Sequence, residues 1–220
     1  MTPAVKLLDL LHMGNPYAGF PYRNYQLDLQ GGGESPLFRQ VLKDLRPVLV
    51  IEVGSWKGAS AVQVAKAARE LGLPTAVLCV DTWLGSLEHL TGRVDGWSLP
   101  GDRQFGYPTL YFQFLANVLH CGCEDRIVPV PNTSANAARW FGRVGVLADM
   151  IYVDASHEED DVYQDLCLYW HLLRPGGILL GDDWNAYWYG VICAVNRFAK
   201  EKRVGINIIE PHWMIMKPKD

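Results

Sequence analysis

Five short segments, Val48–Val53, Ala76–Val80, Arg126–Val130, Met150–Val153 and Ile178–Leu180, are apolar almost throughout and rich in branched side chains. A strand with one wet face alternates apolar and polar residues. A strand covered on both faces reads instead as an unbroken apolar run. Helical segments separate these runs: Ala59–Leu71, Thr109–Leu119 and Glu159–Leu173, the last stopped by Arg174-Pro175-Gly176-Gly177, with a further helix over Tyr189–Glu201. Parallel neighbours need crossovers of about a dozen residues, which these helices supply. The chain is therefore expected to be α/β, with a mostly parallel sheet between two layers of helices. Only a few residues around Pro211 separate Ile206–Ile209 from Met214–Met216, so that last pair is antiparallel and completes seven strands.

A chain of 220 residues, 49% hydrophobic and 20% charged, fits one large domain with a full core. The first residues, Met1–Met13, read as a short amphipathic helix with Val5, Leu7, Leu8 and Leu11 towards the body. Residues 1–35 form a helix-and-loop segment covering the site, joined through the flexible Gly31-Gly32-Gly33 to a main fold over residues 36–220. A net charge of -4, with no basic run beyond Lys200-Glu201-Lys202-Arg203, speaks against nucleic acid as a partner. No apolar run is long enough for a bilayer, and the N-terminus lacks a signal-peptide cleavage pattern. Five cysteines without a repeated spacing fit reduced thiols and a cytoplasmic location.

Glu52-Val53-Gly54-Ser55-Trp56-Lys57-Gly58 lies where the first strand gives way to its helix. Glycines there allow a sharp turn and bring a ligand close to the amides at the helix start. The spacing is E-x-G-x-x-x-G, not the G-x-G-x-x-G of dinucleotide binders. Asp81 ends the second strand, where a carboxylate can accept both hydroxyls of a ribose; the alternative is a loop cap, since Thr82 follows. Together the two elements indicate a nucleoside site.

IEVGSWKGAS and CVDTW closely resemble motifs of class I methyltransferases that use S-adenosylmethionine, and the resemblance runs from about Val48 to the C-terminus. An open parallel sheet ending in an antiparallel hairpin is also the plan of that Rossmann-like fold. The resemblance implies that Glu52, Gly54, Gly58 and Ser60 hold the methionine end and Asp81 the ribose, with Ser55 and Thr82 beside them. Asn132-Thr133-Ser134, after the third strand, would lie near the adenine.

Asp154-Ala155-Ser156-His157 follows the fourth strand and Gly181-Asp182-Asp183-Trp184 the fifth, both at the rim where open α/β sheets bind ligands. Three unpaired carboxylates that close raise one another's pKa values, and a hard cation such as Mg²⁺ relieves this. The alternative is that Asp182 and Asp183 cap the next helix and Asp154 alone meets the cofactor. This region resembles the metal-dependent O-methyltransferases of antibiotic sugars, which bind Mg²⁺ through an Asp of the first motif and an acidic pair of the second. The resemblance implies a hydroxyl acidified by metal at Asp154, Asp182 and Asp183, and places His157 where some members carry a general base. As a residue alone, His157 can equally cap a helix or bond a carbonyl. His89, His120, His171 and His212 have no acidic or Cys neighbours at ligand spacing and carry no assigned chemistry.

The irregular stretch Thr82–Pro108 is long enough to be a lid. Aromatic residues in Trp83–Trp97 and Trp184–Tyr189, with Tyr17, Phe20, Tyr22 and Tyr25, either enclose an acceptor or pack under loops. The expected function is Mg²⁺-dependent O-methylation of a small hydroxylated acceptor by S-adenosylmethionine, in secondary metabolism. A homo-oligomer is compatible with it. The rivals are a nicotinamide-dependent oxidoreductase and a methyltransferase-like fold with a hydroxylase-component or binding role. The chain lacks the large N-terminal domain of the antibiotic-sugar enzymes, which argues against a macrolide-sized acceptor and their higher oligomers.

Overall fold

The computed structural model describes residues 2–31, 35–91 and 103–219. In chain order the elements are α1 (Pro3–Leu10), α2 (Pro36–Leu45), β1 (Leu49–Val53), α3 (Ala59–Glu70), β2 (Ala76–Asp81), α4 (Leu87–Thr91), β3 (Arg103–Gln104), β4 (Tyr107–Pro108), α5 (Leu110–His120), β5 (Ile127–Pro131), α6 (Ser134–Val144), β6 (Ala148–Val153), α7 (Glu159–Trp170), β7 (Leu173–Gly181), α8 (Tyr189–Lys202), β8 (Asn207–Ile209) and β9 (His212–Met216). Seven strands form one sheet in the order β5-β2-β1-β6-β7-β9-β8, and β3 pairs with β4 in a separate short hairpin. The pairings from β5 to β7 are parallel, while β9 runs antiparallel to both β7 and β8. This is the doubly covered sheet with a closing hairpin that the apolar runs imply.

The period of two in a strand sends alternate residues to opposite faces. Val50, Cys79, Met150, Tyr152 and Leu180 pack beneath α2, α3 and α5. Ile51, Val53, Val80, Val153 and Leu179 pack beneath α6, α7 and α8, with Ala4 and Leu11 of the N-terminal segment joining that core. Every side chain of β1 is buried, Glu52 included.

Some expectations shift. Val5 is 41% exposed, and Ala4 takes the inward place on α1 that was expected of Val5. A helix α2 and a helix α6 stand where no helical segment is expected from the apolar pattern; Thr133 caps α6 by accepting the Asn136 amide. Helix α7 ends at Trp170, and Leu173 already belongs to β7. All five cysteines are unpaired. Among the described residues no helix is long and apolar enough to cross a membrane. Gly32, Gly33 and the part of the expected lid over 92–102, with Trp97, lie outside the described residues; the rest of that stretch holds α4 and the β3–β4 hairpin.

Candidate active site

Sheet register sets the site. Val53 pairs with Val80 on one side and Val153 on the other, and Val153 pairs with Gly181, so these strands end level. The ladder continues one residue further: the Gly54 amide donates to the Val80 carbonyl at 2.8 Å, and the Asp154 amide to the Val53 carbonyl at 2.9 Å. Gly54, Asp154 and Asp182 thus leave the sheet side by side. Gly54 has φ +85°, and a Cβ there would stand 2.0 Å from the Asp154 carbonyl oxygen. Gly58 has the same φ, and its Cβ would meet the Phe114 ring at 2.9 Å. The two glycines are therefore required first by the protein's own packing.

The turn between them is gripped by Asp81. Its Oδ2 accepts the amides of Ser55 at 3.0 Å and Trp56 at 2.8 Å, and its Oδ1 accepts that of Trp83 at 2.7 Å. Burial raises the Asp81 pKa, and these amide bonds oppose the rise. Thr82 accepts the Leu84 amide at 3.2 Å, so both side chains of this corner bond the protein's own loop amides.

A cleft of about 980 Å³ opens above the strand ends. Of the residues expected to hold a cofactor, Gly54, Ser55, Ser60, Asp81, Thr82 and Ser134 line it, with Asn132 and Thr133. Glu52 and Gly58 do not. The Glu52 carboxylate turns inward, where it accepts the Ser60 hydroxyl and the Cys79 thiol, the latter at 3.4 Å. Burial pushes its pKa up to about 7, and the nearby charge of Asp81 adds to the rise.

At the other end Asp154, Asp182, Asp183 and His157 come together. The Tyr152 hydroxyl bridges two of the carboxylates, donating to Asp154 at 3.1 Å and lying 3.3 Å from Asp182. Burial drives the Asp154 pKa well above the usual carboxylate range, and the charges of Asp183, Asp182 and Glu52 add to this. Burial would also raise Asp182, but the His212 ring, the Asp183 amide and the Tyr152 hydroxyl hold it below its ordinary value. His212, to which the sequence spacing assigns no chemistry, places its Nδ1 3.3 Å from Asp182 Oδ1. His157 Nε2 lies 2.9 Å from Asp183 Oδ2, and its ring stacks on Trp188 at 3.6 Å. Among the described residues no three His, Cys, Asp or Glu side chains stand in a ready-made metal cage. The donors are nonetheless hard oxygens crowded around one strongly protonation-prone carboxylate, which is the chemistry a hard cation relieves.

Two of these residues lack a motif. Tyr152, on β6, is two positions before Asp154, whose amide continues the ladder one residue past the strand, so the period of two brings them to one face. His212 reaches Asp182 only because β9 pairs with β7, with Gly181 opposite Trp213. The N-terminal segment also reaches the site. Lys57 Nζ lies 2.6 Å from Asp28 and 3.1 Å from Gln30, and the Asn117 amide donates to the carbonyls of both Asp28 and Lys57. Gln30 lines the cleft, and so does His89, stacked on Trp56 at 4.2 Å. Of the two readings of the aromatic residues, packing describes Tyr17 and Trp83, which are buried, and Phe20, which stacks on Tyr25 and Phe112. Tyr187 and Trp188 are the aromatic residues of the second group that face the cleft.

A family model described as a methyltransferase domain matches residues 51–184, from the middle of β1 to just past the acidic pair. No curated protein matches the chain by sequence. Among solved structures, an O-methyltransferase from Bacillus cereus in complex with SAH is 14% identical with a TM-score of 0.60, covering 97% of this chain and 96% of that one. TomG from Streptomyces achromogenes, an O-methyltransferase involved in tomaymycin synthesis and solved with SAM, is 13% identical with a TM-score of 0.60, covering 99% and 96%. The calicheamicin methyltransferase CalS11 is 16% identical with a TM-score of 0.59, covering 97% and 91%. At these identities the likeness is one of fold.

Proposed function

The chain belongs to the methyltransferase-domain family, and from that premise we propose that it moves a methyl group from S-adenosylmethionine to a hydroxyl of a small molecule, with a divalent cation at the acidic cluster. The observation that carries this reading is the layout of the cleft: a glycine turn gripped by Asp81 at one side, and the Asp154–Asp182–Asp183 group with His157 at the other. The names of fold neighbours solved with SAH and SAM support the cofactor, and those tied to tomaymycin and calicheamicin support a natural-product acceptor.

The reaction forms a C–O bond, breaks the C–S bond of the sulfonium, and must remove the hydroxyl proton. Asp183 meets His157 Nε2 at 2.9 Å and Trp188 stacks on the ring, so the imidazole is held at the acidic cluster, where it would take the hydroxyl proton. Asp154, Asp182 and Asp183 would hold Mg²⁺, whose charge favours the deprotonated hydroxyl. Tyr152 and His212 position the Asp154 and Asp182 carboxylates. Residues 1–35, fastened through Asp28 to Lys57, cover the site, and residues 36–220 form the catalytic domain.

Calorimetry with S-adenosylhomocysteine and NAD tests the cofactor. Saturable binding of the former is expected; binding of NAD alone would replace this reading with an oxidoreductase. For the cation, Mg²⁺ should raise the melting temperature of the wild type by mass action and leave Asp154→Asn unmoved. An equal response of both proteins would remove the ion from this cluster.

A further inference from the structure

A second cavity, of about 590 Å³, adjoins the cleft, and Asp154 and Asp182 line both. In-line displacement sets the attacking oxygen and the leaving sulfur on opposite sides of the methyl carbon, so a cofactor in the first cleft leaves the second cavity for the acceptor. Pro36, Leu37 and Phe38 at the start of α2, with Ile209 and Pro211 of the β8–β9 hairpin, give that cavity apolar walls. Space and walls of this kind suit a drug-sized ring compound. Asp154, Asp182 and Glu210 line it together with His212, and among the described residues no Lys or Arg does. Both nitrogens of His212 are engaged by the protein: Nε2 lies 2.9 Å from Ser35 Oγ and Nδ1 3.3 Å from Asp182 Oδ1. Asp154 and Asp182 belong to the acidic cluster. Glu210 stands apart from it, exposed on the hairpin, and no hydrogen bond or ion pair among the described residues engages its carboxylate.

We infer that the acceptor is a hydroxylated ring compound that carries an amine and no acidic group, and that Glu210 selects the amine. This rests on the reading that the protein methylates a hydroxyl at the acidic cluster. An ammonium group on the acceptor gains the attraction of Glu210. A carboxylate or phosphate there is repelled by Glu210 and finds no Lys or Arg to pair with, so the cavity discriminates by repulsion as well as by attraction. One field opposes this. Ser35 makes no capping bond to α2, so the helix start presents about half a positive charge towards the cavity. The full charge of Glu210 outweighs it. The competing account makes Glu210 a solvated turn residue with no influence on the acceptor.

The test uses three probes that share a dihydroxyphenyl ring and differ in one side chain: aminoethyl, ethyl or carboxyethyl. Calorimetry with S-adenosylhomocysteine and Mg²⁺ present gives the Kd of each, and methyl transfer from labelled S-adenosylmethionine gives kcat and KM. Wild type, Glu210→Gln and Glu210→Lys are compared. The amine should bind best and the carboxylate worst, with about tenfold between them, one modest ion pair gained and one repulsion removed. In Glu210→Gln the two should come within about threefold, and in Glu210→Lys their order should reverse, with the change in KM and little in kcat. The wild-type preference should also shrink at 1 M salt, where charges are screened beyond about 3 Å. A carboxylate that binds as well as the amine, or an amine preference that survives both substitutions, overturns the assignment. So does failure of all three probes to bind, while the cofactor reading stands. Absence of S-adenosylhomocysteine binding overturns both.

Discussion

Glu52 is the motif residue whose placement departs most from the role the resemblance implies, and Glu52→Gln tests the departure. The side chain is 2% exposed and bonded to Ser60 and Cys79, away from the cleft. Burial raises its pKa from 4.5 to about 7. Between those two values the folded protein keeps the proton and the unfolded chain has released it. The folded state therefore binds more protons in that window, and stability falls as pH rises through it. The shift corresponds to about 3 kcal/mol lost between pH 4.5 and 7, as an order of magnitude. Gln keeps the shape and cannot ionise. Urea unfolding of both proteins at pH 5, 6, 7 and 8 should give nearly equal stabilities at the acidic end. The variant should gain progressively towards pH 8, by up to ~3 kcal/mol less whatever the Ser60 and Cys79 bonds to the ionised form contribute. Parallel curves would refute the argument, because they would mean the folded carboxylate titrates near its ordinary value. The same variant should bind S-adenosylhomocysteine within about threefold of wild type; a tenfold or greater loss would return the Glu52 carboxylate to the cofactor site.

Two other substitutions probe the turn and the base. Gly54→Ala forces a Cβ against the Asp154 carbonyl at a positive φ, and the melting temperature should fall by the equivalent of about 3 kcal/mol or more; an unchanged melt would show that the turn can shift freely. His157→Ala should slow methyl transfer from labelled S-adenosylmethionine by ~10²–10⁴-fold with cofactor affinity kept; near-normal turnover would assign the proton to solvent.

Much of this protein is legible in its sequence, and for a local reason. Continuous apolar runs, glycines after Val53 and acids after Val80, Val153 and Gly181 are statements about neighbouring residues, and a parallel sheet converts strand ends into one rim. Asp81, Asp154, Asp182, Asp183 and His157 accordingly meet the same cleft. What only the tertiary structure decides is where a polar side chain spends its bonds. Glu52 turns inward because Ser60 and Cys79 stand there to meet it, although its neighbour Gly54 opens the cleft. His212 joins the acidic cluster through the pairing of β9 with β7 across some thirty residues. The sequence pattern sets which groups sit at the rim. The partners that fix their charge and aim come from elements distant in the chain, and chain-distant contacts leave no local signature.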